Sequence, residues 1–243
     1  MLKQAFAPLV DLLYPPRCPT CGAAIGEHGA LCQDCWSALV IPGEPCCAAC
    51  QRPFGNELVE AGSLCAPCMA DPPQHAGIAA ATLYTEGSRK LVLAFKHGRR
   101  IALASLLARL MLARLPVLEG EWLVVPVPLH RRRLWTRGFN QSALLAGEIA
   151  RARGHELVVD GLLRTKVTPT LGGLGRRERA KVLKGAIAVN PARVAKLNGA
   201  QVLLVDDVMT SGATTQACLK ELRKAGATTV RIACFARVLD EAL

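Results

Sequence analysis

The sequence predicts an α/β protein, with a parallel core sheet covered by helices and a small metal-binding module in front of it. Three observations lead there. Four CxxC pairs crowd into residues 18–68. Beyond them, short apolar runs alternate with helix-length stretches, the pattern of strands joined by crossover helices. One such run, QVLLVDDVMTSGATT at Gln201–Thr215, passes directly from apolar strand to polar loop to helix.

The chain has 243 residues, enough for one large domain, or for a catalytic domain plus a small module. Hydrophobic residues make up 51% and aromatics only 4%, so the core is built from Leu, Val and Ala. The net charge of +11 is uneven: residues 1–70 carry three Lys/Arg against six Asp/Glu, and residues 71–243 carry 27 against 13. A basic body suits phosphorylated substrates or nucleic acid. No run of 18 apolar residues occurs, so no membrane span is expected. No secretory signal is expected either, and a cytoplasmic location follows.

Residues 1–14 predict a short amphipathic helix with Leu2, Phe6, Leu9, Val10 and Leu13 on one side, stopped by Pro15 and Pro16. It packs on its own protein or serves as a membrane-surface or partner helix. Residues 15–70 form the metal module. Of 11 cysteines, nine lie between Cys18 and Cys68, and clustered CxxC pairs read as metal ligands in a reducing compartment. Each pair can hold one edge of a tetrahedral zinc. Gaps of 10 and 14 residues suit short hairpins. They group Cys18, Cys21, Cys32 and Cys35 on one ion, and Cys47, Cys50, Cys65 and Cys68 on a second. An interleaved grouping is the alternative. Cys46 is left as a spare. The segment is too poor in apolar residues to fold without metal.

Residues 71–243 form the body. After an ADPPQH linker, Gly77–Thr85 reads as a strand, Ser88–Lys96 as a helix, and Arg100–Leu115 as a second helix. Trp122–Val127 is a buried strand. LHRRRLWTRGFNQ follows as a loop, with Arg131, Arg132, Arg133 and Arg137 beside Gly138, and Asn140 caps the next helix. Arginines beside backbone donors suit pyrophosphate; a solvated basic face and a nucleic-acid patch are the rivals. Leu157–Leu163 reads as an edge strand. Arg164–Arg179 is basic and glycine-rich, with the composition of a mobile lid or a plain disordered loop. Arg179–Leu183 is a short helix, Gly185–Val189 a strand, Asn198-Gly199 a turn, and Thr228–Val238 the closing strand. Cys218 and Cys234 are core thiols.

The central stretch carries the chemistry. Val202–Val205 is a buried strand, and Asp206 and Asp207 follow it. A loop of Thr210, Ser211, Gly212, Ala213, Thr214 and Thr215 then leads into a helix that stops at Gly226. Open α/β sheets bind ligands at this end of a strand. Unpaired N–H groups at a helix start favour a phosphate. Paired carboxylates repel phosphate and suit the vicinal hydroxyls of a sugar. The implied ligand is a ribose 5-phosphate moiety. No Gly-Lys-Ser/Thr is present, so this is not a Walker loop.

This stretch resembles the 5-phosphoribosyl-1-pyrophosphate (PRPP) loop of the type I phosphoribosyltransferases. The four CxxC pairs, AFKHGRR, PVPLHRRRLWTRGFNQS, a TP-containing basic loop and VLLVDDVMTSGATT occur in that order over about residues 15–238. In this the chain is similar to the ComF family, which couples a double zinc ribbon to a phosphoribosyltransferase-like domain. The resemblance implies a type I phosphoribosyltransferase fold with a five-stranded parallel core sheet, and PRPP binding with Mg²⁺. It gives Asp206 and Asp207 the catalytic role of holding the ribose hydroxyls, Thr210–Thr215 the 5-phosphate, and the Arg137-Gly138 loop the pyrophosphate. Thr170 and Val182 stand where relatives often carry Gln and Asn. A link to nucleotide metabolism, or to competence and DNA uptake, is implied as well. Single-stranded DNA and competence-machinery proteins would then be partners.

Overall fold

The computed structural model describes residues 14–55, 58–97, 100–168 and 176–239. The predicted helix at 1–14 falls almost wholly outside this range, as does the middle of the glycine-rich segment.

The Cys-rich region has little regular structure: α1 (Gln33–Ser37) and α2 (Ala66–Ala70), with isolated bridges at Arg17–Ala24 and Cys46–Pro53. The body follows as β1 (Ile78–Leu83), α3 (Glu86–His97), α4 (Leu103–Arg114), β2 (Trp122–Pro126), α5 (Arg131–Arg137), α6 (Gln141–Arg153), β3 (Glu156–Leu157) and β4 (Leu162–Arg164). Then come α7 (Arg176–Leu183), β5 (Ile187–Val189), a 3₁₀ turn at Pro191–Arg193, α8 (Val194–Leu197), β6 (Gln201–Met209), α9 (Ala213–Lys224) and β7 (Thr229–Arg237).

Five strands form one sheet in the order β1-β7-β6-β2-β3, and every pairing in it is parallel. The expected five-stranded parallel core is therefore present. β6 lies at the centre and reads as the fully buried strand its apolar run predicts. Its side chains alternate between two cores. Leu203 and Val205 pack with Leu91 and Phe95 of α3, Leu107 of α4 and Leu145 of α6. Val202 and Leu204 pack on the other face with Cys218 and Leu222 of α9 and with the buried cysteines of the second CxxC group. The metal module thus covers part of one sheet face, where an α/β fold would otherwise place only helices.

Several contacts fix the module to the body. Arg100 Nη1 donates to the Pro19 carbonyl (2.6 Å) and Arg109 Nη2 to that of Gly29 (2.5 Å). The Leu83 N–H and the Thr82 hydroxyl both donate to the Val40 carbonyl, at 2.8 and 2.9 Å. Arg237, buried on β7, donates to the Cys50 carbonyl.

The sequence reading needs three local corrections. The LHRRRLWTRGFNQ loop contains a helix, α5. His130 Nδ1 caps it by accepting the Arg132 N–H (3.2 Å), and Gly138 ends it with φ 84°. That left-handed conformation is natural for glycine and strained for other residues. The Leu157–Leu163 strand is two strands on different sheets, because the chain turns at Asp160-Gly161. β3 pairs with β2, and β4 forms an antiparallel ribbon with β5. Asp206 and Asp207 do not follow the strand but belong to it: β6 runs on to Met209 because Asp206 and Val208 stay in register with Cys234 and Ala236 of β7.

Candidate functional site

The carboxyl end of β6 turns sharply into α9. Gly212, at φ 73°, makes the turn and stands as the residue before the helix. Thr215 Oγ1 donates to the Gly212 carbonyl (2.8 Å), and the Gln216 N–H donates to the same oxygen. The amides of Ala213, Thr214 and Thr215 have no intrahelical acceptor, as at any helix start. Asp206 and residues 208–215 together line a small cup of about 20 Å³ that opens to solvent. Leu183, the last residue of α7, and Ala186, just before β5, pack against Ala213 and brace the first turn of α9.

The two aspartates have different surroundings. Asp206 is only 8% exposed. Its Oδ1 accepts the Ser142 hydroxyl (3.1 Å) and the Asp207 N–H (2.9 Å). Burial, then the neighbouring Asp207 charge, push its carboxyl up to about 7 against the pull of Lys96. Asp207 accepts the Val208 N–H on Oδ1 (2.7 Å) and pairs through Oδ2 with Lys96 Nζ (2.9 Å). Asp206 lines the cup and Asp207 does not.

The basic set divides as well. Arg131 and Arg132 are exposed, while Arg133 and Arg137 are partly buried. Arg133 Nη2 donates to the Thr168 carbonyl (2.9 Å), and Arg137 Nη1 to Gln141 Oε1 (3.3 Å). Trp135 is 87% exposed, whereas Phe139 packs into the core with its ring centroid 5.9 Å from that of Phe95. Four polar side chains of this region escaped sequence reading: Lys96, Gln141, Ser142 and Arg164. Lys96 sits in the quoted AFKHGRR run. Gln141 and Ser142 end the quoted PVPLHRRRLWTRGFNQS run and Arg164 opens the Arg164–Arg179 segment, but nothing local marks the part each plays.

The eight predicted ligand cysteines fall into the two sequential groups. Within each group the four sulfur atoms lie within 4.8 Å of one another. A tetrahedron with Zn–S bonds of about 2.3 Å has edges of about 3.8 Å. Cys21–Cys32 and Cys50–Cys65 show sulfur separations of 3.5 and 3.7 Å. The donor sets therefore fit zinc. Burial opposes the Cys18 thiolate, but N–H groups of Cys32, Cys21 and Thr20 outweigh it and bring the thiol down to about 6. Cys47 reaches about 6 in the same way, through N–H groups of Cys65, Cys50 and Ala49. Cys46 stays outside both groups, its thiol donating to Glu44 Oε1 (3.2 Å).

A parallel sheet with an acid-flanked cup at the end of its central strand, joined to two Cys₄ nodes, defines a phosphoribosyltransferase-type domain carrying a zinc-ribbon module. Comparison with known proteins agrees. The double zinc ribbon domain family matches residues 9–73 and the phosphoribosyl transferase domain family matches residues 144–242. The chain is 31% identical to the DNA utilization protein YhgH of Salmonella typhi, over 94% of this chain and 100% of that one. It is 30% identical to Competence protein F of Haemophilus influenzae, over 85% of this chain and 96% of that one, and 25% identical to Competence protein ComFC of Streptococcus pneumoniae, over 84% and 86%. The chain belongs to the ComF family. Among the described residues no helix is long and apolar enough to cross a membrane.

Proposed function

We propose that this protein is a cytoplasmic enzyme that binds PRPP as its Mg²⁺ complex and transfers the 5-phosphoribosyl group to a nitrogenous nucleophile. The observation that carries the reading is the cup at the end of β6, where Asp206 and the start of α9 line one concavity. The amides and hydroxyls of Thr210–Thr215 hold the 5-phosphate. Asp206 and Asp207 grip the ribose hydroxyls and position the sugar without acting as nucleophiles. In the reaction the bond from the anomeric carbon to the diphosphate oxygen breaks, and its electron pair leaves on pyrophosphate. A carbon–nitrogen bond forms in its place, and the nucleophile's proton passes to solvent. Positive charge develops on the ribose, so catalysis rests on orientation and on cations placed at the leaving group. In this reading Arg133 and Arg137 take that role, and their partial burial at the turn into α6 supports it. The two zinc ions are structural, held by Cys18, Cys21, Cys32 and Cys35, and by Cys47, Cys50, Cys65 and Cys68.

Calorimetry with PRPP and Mg²⁺, followed by a pyrophosphate-release assay over a panel of bases and amines, tests the reading. Binding by wild type that is lost in Asp206→Asn and Asp207→Asn supports it. No heat from wild type ends it.

A second reading has its own observation. Trp135 stands in solvent on α5 beside the exposed Arg131 and Arg132. An aromatic face between cations is a stacking platform for single-stranded nucleic acid. The relatives' names, DNA utilization and competence, point the same way. The two readings are compatible. In the second, DNA and competence-machinery proteins are partners, and the PRPP cup senses a metabolite or supports assembly.

A further inference from the structure

All four cysteines of the second node, Cys47, Cys50, Cys65 and Cys68, are buried in the core on one face of the sheet. Four thiolates around one Zn²⁺ leave a loaded node with about two negative charges. In water that charge is screened; in a core it needs cations of its own. The first node differs, because only Cys18 of its four ligands is buried and solvent reaches the rest.

The cations come from β7. Arg237 is 8% exposed and donates from Nη1 to the Cys50 carbonyl. Arg231, partly buried, reaches the same CxxC turn from near the other end of the strand. A Cβ at Gly77 would stand 2.6 Å from Arg231 Nη1 and 3.9 Å from the Ala49 carbonyl, so this guanidinium and the Cys47–Cys50 turn border one small space. Gly77 leaves that space open, and its N–H donates to His75 Nδ1 (3.1 Å), which fixes the linker there. His75 feels the charges of both arginines. Among the described residues neither guanidinium has a carboxylate partner, and the Nε of each is buried without an acceptor. Folded proteins seldom leave buried donors unpaired or buried charge uncompensated. The loaded node supplies what is missing: two guanidinium groups stand against about two negative charges.

We infer that Arg231 and Arg237 are the counter-charges of the second zinc node, positioning residues that hold its thiolate–zinc centre in the core and fasten it to β7. The inference rests on the structural-zinc reading above and extends it to residues far outside the Cys-rich segment. The two arginines are not ligands; they act on the metal through the charge of the four sulfurs. Zinc affinity at this node therefore has a contribution from the body, and the node reaches its full affinity only with β7 in place. The first node, screened by water, owes nothing to either arginine.

The test is competition for Zn²⁺ against a chromophoric chelator of known affinity, on the full chain, with each node read separately. In a Cys18→Ser background the remaining ion reports the second node, and in a Cys47→Ser background it reports the first. Arg231→Gln is expected to weaken zinc at the second node at least tenfold and at the first less than twofold. Arg231→Lys keeps the charge and is expected to stay within about threefold of the parent. Arg237→Gln can still donate to the Cys50 carbonyl and is expected to behave as Arg231→Gln does; should it fail to fold, the partly exposed Arg231 decides. Unchanged second-node affinity in folded Arg231→Gln overturns the inference. So does an equal loss in Arg231→Gln and Arg231→Lys, since shape and not charge would then be at work. An equal loss at both nodes overturns it too, because that marks general destabilisation. A wild-type chain that takes up no zinc overturns the zinc reading itself, and the counter-charges with it.

Discussion

Replacing Asp206 by Asn should make the protein more stable in mild alkali while removing its grip on ribose. In the fold, burial and the Asp207 charge raise this carboxyl from 3.8 to about 7. A raised acid contributes stability below its unfolded value and loses it as pH climbs through the folded value. Asp206 is therefore favourable while neutral and a burden once ionised. Each decade costs about 1.36 kcal/mol. Between about pH 6 and about pH 8.5, wild type loses about 1.4 kcal/mol through this one group. Asn cannot ionise, and its Oδ1 can still accept from Ser142 and from the Asp207 amide. The variant-minus-wild-type difference should thus grow by about 1.4 kcal/mol over that interval, a shift of about 3–6 °C in Tm for a chain of this size. Thermal melts of both proteins at the two pH values measure it, and both lie where zinc thiolates persist. A Tm gap of equal size at both pH values refutes the reasoning, because Asp206 would then carry no cost of ionisation.

Other expectations concern the module and the surface. Gly87→Ala should destabilise by about 1–3 kcal/mol in a urea melt, since a Cβ there would come 2.3 Å from the Ala38 carbonyl at the junction of module and body. Zinc content should be about two ions per chain and fall to about one in either Cys18→Ser or Cys47→Ser. The Cys47 variant should lose more stability, because all four ligands of its node are buried in the second core, whereas only Cys18 is buried in the first. Trp135→Ala should leave Tm unchanged to within about 0.5 kcal/mol of stability. It should weaken single-stranded DNA by about 1–3 kcal/mol, measured by fluorescence anisotropy at fixed salt.

Much of this architecture was legible because short-range rules act alone there. Val202–Val205 is too short and too apolar for anything but a buried strand, and the CxxC gaps permit few groupings. The end of β6 was not legible, because adjacent aspartates argue against strand. They stay in strand because β7 holds them in register, which is tertiary information. Three consecutive arginines hid α5, since they carry no apolar period. The signals that start and stop it, His130 and Gly138, lie outside the run itself. At the site, the cup was legible because it is contiguous in sequence. Arg164, Gln141 and Lys96 were not, because each meets its partners only once β4, α6 and α3 have been placed around β6.

The strand order has a consequence for how the polypeptide is made. β1 is synthesised early, yet its neighbour in the sheet is β7, at Thr229–Arg237. Cys50 likewise meets Arg237 across 187 positions of sequence. A nascent protein can load its zinc long before either docking place exists, and must then carry a bare apolar strand until β7 has been synthesised. Premature termination anywhere before Thr229 strands both, leaving an edge open to pairing with other chains.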